Sequence, residues 1–232
     1  MIAKFLFITM LFLPQSVFCQ TFEEDLVAAA FDRTTHSVKY DGSYFSIKYP
    51  GGDVPANIGV CTDVVIRTYR AIGTDLQKLV HEDMSQNFDI YPSKRIWGLS
   101  GTDRNIDHRR VPNLQTFFSR HGHELSVTIK AQNYSPGDLV TWMLPGNLPH
   151  IGIVIDKISS RTGNPIIVHN VGLGPKSEDV LFKYPITGHY KYVPEKYRRL
   201  VQSGDHVIER QPFGTLIAFF VELRRDRGIV EV

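Results

Sequence analysis

The chain has 232 residues, 42% of them hydrophobic, and sets 26 Lys and Arg against 24 Asp and Glu. So even a balance excludes the basic stripe that a nucleic-acid surface needs. No repeat, heptad or low-complexity tract interrupts it, which leaves an ordinary globular chain with both helix and strand patterns.

The first twenty residues, MIAKFLFITMLFLPQSVFCQ, join Lys4 to an apolar run and then to smallish residues. The run is shorter than the ~20 residues of a membrane-spanning helix. It reads as a signal peptide over residues 1–19, cleaved on export, so the mature protein is expected in the periplasm or outside the cell without a transmembrane span. Cys19 could instead carry a lipid, but the bulky Phe18 before it argues against that. Residues 20–232 then suffice for a single well-cored domain.

TFEEDLVAAAFDRT reads as a short helix with Leu26, Ala29 and Ala30 inward and Glu23, Glu24 and Asp25 in its first turn. DGSYFSIKYPGGDVPANIG is a turn-rich connection. From Thr62 the spacing of Val64, Val65, Tyr69 and Ile72 predicts a helix that Gly73 stops. TDLQ, Thr74 to Gln77, has a capping-box pattern and starts a second helix. VPNLQTFFSRHG reads as a third, with Pro112 near its start and Gly122 at its end. The period then changes: GDLVTWML, HIGIVID and NPIIVHNVG alternate like strands, and GTLIAFFVELRR reads as one more. Helices first and strands after predict an α+β fold, with a cleft between the two layers where a catalytic pair would meet.

One of the two cysteines leaves with the signal, so Cys61 is an unpaired thiol in an oxidising compartment. It stands where a glycine- and proline-rich loop becomes a helix. A free thiol has a pKa of about 8.5, and a helix N-terminus or a neighbouring imidazolium lowers it. The loop is expected to keep the sulfur accessible, and first-turn N–H groups could hold an oxyanion. A buried cysteine serving as a small hydrophobe is the bland alternative.

Among nine histidines, His150 opens the strand HIGIVID. Alternation turns its ring away from Ile151, Ile153 and Ile155, and Gly152 leaves room beside it. The loop DKISSRTGNP predicts a hairpin in which His150 faces Val171 and Gly152 faces His169, putting His169 diagonal to His150 on one face. A slip of one residue would bring Asn170 there instead. Cys61, His150 and His169 are thus the candidate nucleophile, base and orienter. In NIDHRRVPN, Asp107, His108, Arg109 and Arg110 read as a solvated cluster or as an arginine clamp for an anionic group. Asp63 reads first as a carboxylate favouring the helix dipole. With His108, Arg109 and Asn170 it completes the candidate substrate-binding set. No zinc spacing stands out, and neither metal nor cofactor is expected.

A cysteine at a helix start, then GDLVTW, then HIGIVI, then a strand with His or Asn resembles the NlpC-type branch of the papain-like cysteine peptidases. The resemblance implies a nucleophile helix packed on an antiparallel sheet, with Cys61, His150 and His169 in the three catalytic places. GGDVPANIGVCTDVVIRTYRAIG, NIDHRRVPNLQTFF and LPHIGIVI are similar to the YijF-like bacterial family of unknown function over roughly residues 25 to 192, which leaves residues 193–232 outside. NlpC-type enzymes have aspartate before and serine after the cysteine, where this chain has Val60 and Thr62. Those positions bear on cell-wall peptide recognition. The resemblance implies a cysteine hydrolase, an amidase or peptidase, with a peptide or amide substrate, possibly a peptidoglycan peptide. An acyl or amide transferase and a non-catalytic cell-wall-binding domain, presenting Tyr40, Tyr44 and Tyr49, are the alternatives.

Overall fold

The computed structural model describes residues 21–203. The segment expected to be a signal peptide, with Cys19, and the expected strand GTLIAFFVELRR lie outside the described residues. The order is α1 (Phe22–Arg33), β1 (Lys39–Tyr40), β2 (Ile58–Gly59), α2 (Cys61–Ala71), α3 (Leu76–Asn87), α4 (Ser93–Trp97), α5 (Val111–His121), β3 (His123–Glu124), β4 (Leu139–Leu144), β5 (Leu148–Ile158), β6 (Pro165–Asn170), β7 (Pro175–Glu178), β8 (Ile186–Lys191) and α6 (Glu195–Ser203). The fold is α+β, with helices in the N-terminal part and a six-stranded antiparallel sheet in the C-terminal part, ordered β3-β8-β4-β5-β6-β7.

Local signals account for the helices. Thr21 and Glu24 close a capping box at the start of α1. Gly73, at φ 76°, ends the α2 segment in the left-handed region that glycine adopts without strain. The start of α3 differs from expectation. Asp75, not Thr74, is the cap, taking the N–H of Gln77, while the Gln77 amide turns away to bind Gly52 N–H and the carbonyls of Lys48 and Arg104. A buried carboxamide serving three backbone groups of neighbouring loops displaces the local capping box.

Two apolar clusters lie on opposite faces of the sheet. Ile151, Ile153, Ile155, Leu139 and Val168 face the helices and pack with Cys61, Val64, Val65 and Tyr69 of α2, Leu26 of α1 and Phe118 of α5. Val140, Trp142, Val154 and Ile167 face the other way, under Tyr134, Val180 and Leu181. The β5–β6 hairpin takes the expected register, Ile153 opposite Val168 and Val154 opposite Ile167, and slips only near its turn, where Ile158 meets Pro165. β8, absent from the strand pattern of the sequence, pairs with both β3 and β4. In the segment from Pro194 onward, left unassigned by the sequence, the described part is α6.

Candidate functional site

Cys61 is the first residue of α2. The loop before it is clamped onto that helix: Arg67 binds the Asp53 carboxylate and the carbonyls of Val54 and Pro55, and Arg70 binds the carbonyl of Gly52. With the loop closed down, Cys61 is only 4% exposed. The accessible, acidified thiol expected from the helix start is therefore corrected. Burial pushes the thiol up to about 11, against hydrogen bonds from the N–H groups of Ile151, Thr62 and Cys61 itself, and Asp63 adds to the rise. Helix N-terminal N–H groups do meet the sulfur, but desolvation of a thiolate outweighs them.

The action of the Ile151 N–H on the thiol puts the sulfur near the peptide joining His150 to Ile151, in the core cluster that Cys61 and Ile151 share. His150 points to the other side of the strand. It stands across from Trp142, with ring centroids 6.0 Å apart, on the face of Val154 and Ile167. Thiol and imidazole thus do not face each other in the cleft between layers as expected, but come from opposite faces to the same strand. His169 is the residue whose ring meets His150: Nε2 of His150 lies 2.8 Å from Nδ1 of His169. Gly152 makes room for this, since a Cβ there would fall 2.6 Å from Cγ2 of Ile167 and 3.1 Å from Cβ of His169. Burial pulls His150 down to about 3, helped by His169, so its ring is neutral at pH 7. His169 is likewise lowered by burial, with Glu178 opposing and Lys183 assisting. Asn170 belongs to the other face, its amide donating to Gly59 O at 3.3 Å.

The residues of the candidate substrate-binding set lie buried, with Asp63 and Arg109 paired. Arg109 is no free clamp. It forms a two-pronged pair with Asp63, Nε–Oδ1 and Nη2–Oδ2 both 2.9 Å, and each side chain is only 3% exposed. Asp63 also accepts the N–H of Val60. His108 is buried beside them and lowered to about 3, by burial first and then by Arg109 and Arg70. Arg110 bonds Asp107 and lies over the Trp97 ring. These residues brace the first turn of α2 against the 3-10 turn Asp107–Arg109 and do not present a polar surface.

Two nearby residues stand outside the candidate catalytic and substrate-binding sets, Tyr40 having been expected only on the surface of a non-catalytic domain. Tyr40 on β1 stands close enough to Cys61 and Asp63 for their charges to act on its phenol, which rises to about 12 with burial as the first cause. Glu178 on β7 holds Nε2 of His169 at 3.0 Å. Glu178 lies in a strand of sequence PKSE that carries no apolar alternation. A cavity of about 640 Å³ between α4 and α5, lined by Tyr91, Arg95, Gln115 and Arg120 among others, includes neither Cys61 nor His150. Among the described residues no group of three or more His, Cys, Asp and Glu is placed to hold a metal ion, and no helix is long and apolar enough to cross a membrane.

Comparison with known proteins gives relatives but no activity. The chain is 52% identical over 153 residues to the "Uncharacterized protein YijF" of Escherichia coli, covering 66% of this chain and 73% of that protein. Among solved structures it has a distant likeness to NlpC1 from Trichomonas vaginalis, with TM-score 0.36 and 15% identity over 73% of this chain, and it spans 43% of that protein's length. The family described as "Domain of unknown function (DUF1287)" matches residues 27–192, most of the chain, and the protein belongs to that family.

Proposed function

We propose that the protein is a cysteine hydrolase of amide bonds, exported through its N-terminal segment and acting on peptides of the cell wall. One observation carries this reading: Cys61 at the start of α2 shares a core cluster with Ile151, whose N–H acts on the thiol, and the neighbouring His150 ring is held at 2.8 Å by a second imidazole. In the resting state thiol and imidazole are both neutral, so the chemistry is general-base catalysis and not a preformed ion pair. His150 takes the proton as Sγ of Cys61 attacks the carbonyl carbon, then returns it to the leaving amine. The thioester is hydrolysed by water that His150 activates in turn. N–H groups of the first turn of α2 are the donors for the oxyanion. The exported location rests on the Lys4-led apolar segment alone.

The enclosure of Cys61 gives one rival a specific footing, a non-catalytic domain in which the thiol is core. Alkylation of Cys61 by iodoacetamide between pH 5 and pH 9 separates the two. The hydrolase reading expects His150→Ala to slow alkylation at pH 7 about tenfold or more, the lower range of what a positioned base supplies. Identical profiles in wild type and variant would leave the thiol as packing. Mass spectrometry of cell-wall peptides incubated with wild type and Cys61→Ala tests the substrate separately. New peptide termini are expected with the wild type alone.

A further inference from the structure

Behind the two imidazoles stands a carboxylate. Glu178 holds Oε2 3.0 Å from Nε2 of His169, and Nδ1 of His169 lies 2.8 Å from Nε2 of His150. β6 and β7 position the first pair: Ile167 is directly opposite Glu178, so Glu178 and His169 are diagonal neighbours on one face. The chain of bonds runs from the rings outward, with the Glu178 side chain 40% exposed and that of His169 2% exposed.

Donors and acceptors in this chain have one consistent assignment when the rings are neutral. A carboxylate only accepts, so Nε2 of His169 carries a hydrogen. A neutral imidazole has one N–H, so Nδ1 of His169 is bare and accepts. Nε2 of His150 must then be the donor, which leaves Nδ1 of His150 with its lone pair free. The structure assigns Glu178 the part of a positioning residue: acting through His169, its carboxylate fixes the tautomers of both rings and so makes Nδ1 of His150 the base for Cys61. This rests on the hydrolase reading above. In the step itself the S–H bond of Cys61 breaks and an N–H bond forms at Nδ1 of His150. The positive charge then stays on the imidazole pair, stabilised by Glu178, and no proton moves on to the carboxylate. The other charged groups bearing on the pair are Lys183, which acts on His169, and Lys176, opposite His169 across β6 and β7. Neither can accept a hydrogen from Nε2 of His169, and both leave the assignment unchanged.

A carboxylate that merely ties β7 to β6 would affect stability and nothing else. Nitrogen NMR of the imidazoles in the full chain at pH 7 distinguishes the two roles. The expected wild-type pattern is an unprotonated Nδ1 and a protonated Nε2 on both rings. Glu178→Gln, whose amide can donate as well as accept, is expected to give mixed tautomers and to slow iodoacetamide alkylation of Cys61 about tenfold. A wild-type His150 protonated at Nδ1, or a folded Glu178→Gln with unchanged tautomers and rate, overturns the assignment. Should Glu178→Gln not fold, the wild-type tautomers decide alone. His150→Ala in the same alkylation assay reports on the hydrolase reading itself: slowed by that substitution but not by Glu178→Gln, the thiol chemistry stands and only the role of Glu178 falls.

Discussion

At the scale of single residues, the position of Cys61 and its protonation follow from different parts of the chain. Its place at a helix start is local, set by the loop-to-helix transition in GGDVPANIGVCTD. Its rise to about 11 is not local, because burial by Ile151 and the strand residues around it comes from chain far away in sequence. The same division holds at Gly152. The sequence shows a glycine two residues after His150; only the pairing with β6 shows what it accommodates. A methyl there would lie 2.6 Å from Cγ2 of Ile167, 3.0 Å from the Val168 carbonyl and 3.1 Å from Cβ of His169. Cγ2 of Ile167 is a branch on a stiff β-carbon, and neither it nor the carbonyl nor the root of the His169 side chain turns aside easily. Gly152→Ala is therefore expected to cost about 1–3 kcal/mol, as overpacking does. It should also move His169 off His150, so that Cys61 alkylation slows with it. Denaturant midpoint and alkylation rate measure the two effects; wild-type values for both would mean that the hairpin has slack the distances deny.

At the scale of elements, the main brace of α2 is the Asp63–Arg109 pair, which binds its first turn to the 3-10 turn before α5. Arg109 also donates to the carbonyl of Ser43, so the segment beside Tyr40 is held by the same guanidinium. Breaking a buried ion pair from one side strands the other charge, at a loss of about 3–5 kcal/mol. Arg109→Met is expected to lower stability by that much, and Arg109→Met with Asp63→Asn by less than the sum of the two single losses, read from urea unfolding. An additive double variant would show that the two charges do not support each other. DHRR was legible as a charge cluster, but whether it faced solvent or the interior depended on α2, and the sequence shows only that the charges are adjacent. Helices were the most legible elements, because apolar spacing, caps and Gly73 act within a few residues. Strands were legible where they alternate, as in β4, β5 and β6, and the hairpin register followed from the loop. β8 was not, since ITGHYK has little apolar pattern and is made a strand by neighbours on both sides. β7 was missed for the same reason, and with it Glu178, so the imidazole pair could be inferred while the carboxylate behind it could not.

At the scale of the molecule, the burial that keeps His150 unprotonated also makes the fold sensitive to acid. His108 and His150 are each held near 3 from an ordinary 6.5, and His169 is lowered in the same direction. Below pH 6.5 the unfolded chain binds protons on these rings that the native rings refuse, so stability falls as pH drops, by about 1.4 kcal/mol per pH unit for each of His108 and His150. Asp107 works against them over a narrower range. Burial raises it from 3.8 to about 6, so the native state binds its proton more readily between those values and offsets one ring there. The histidines outnumber it and their window extends lower. The melting temperature is thus expected to decline steadily from pH 6.5 towards pH 4, before most carboxylates titrate. His108→Asn, which removes one ring remote from the imidazole pair, should make the loss of stability shallower by about 1.4 kcal/mol per pH unit while leaving Cys61 alkylation unchanged. A melting temperature level down to pH 4.5 would mean that protons reach these rings in the native state. His150 would then be an ordinary titrating imidazole, charged in mild acid, and no longer a base across that range.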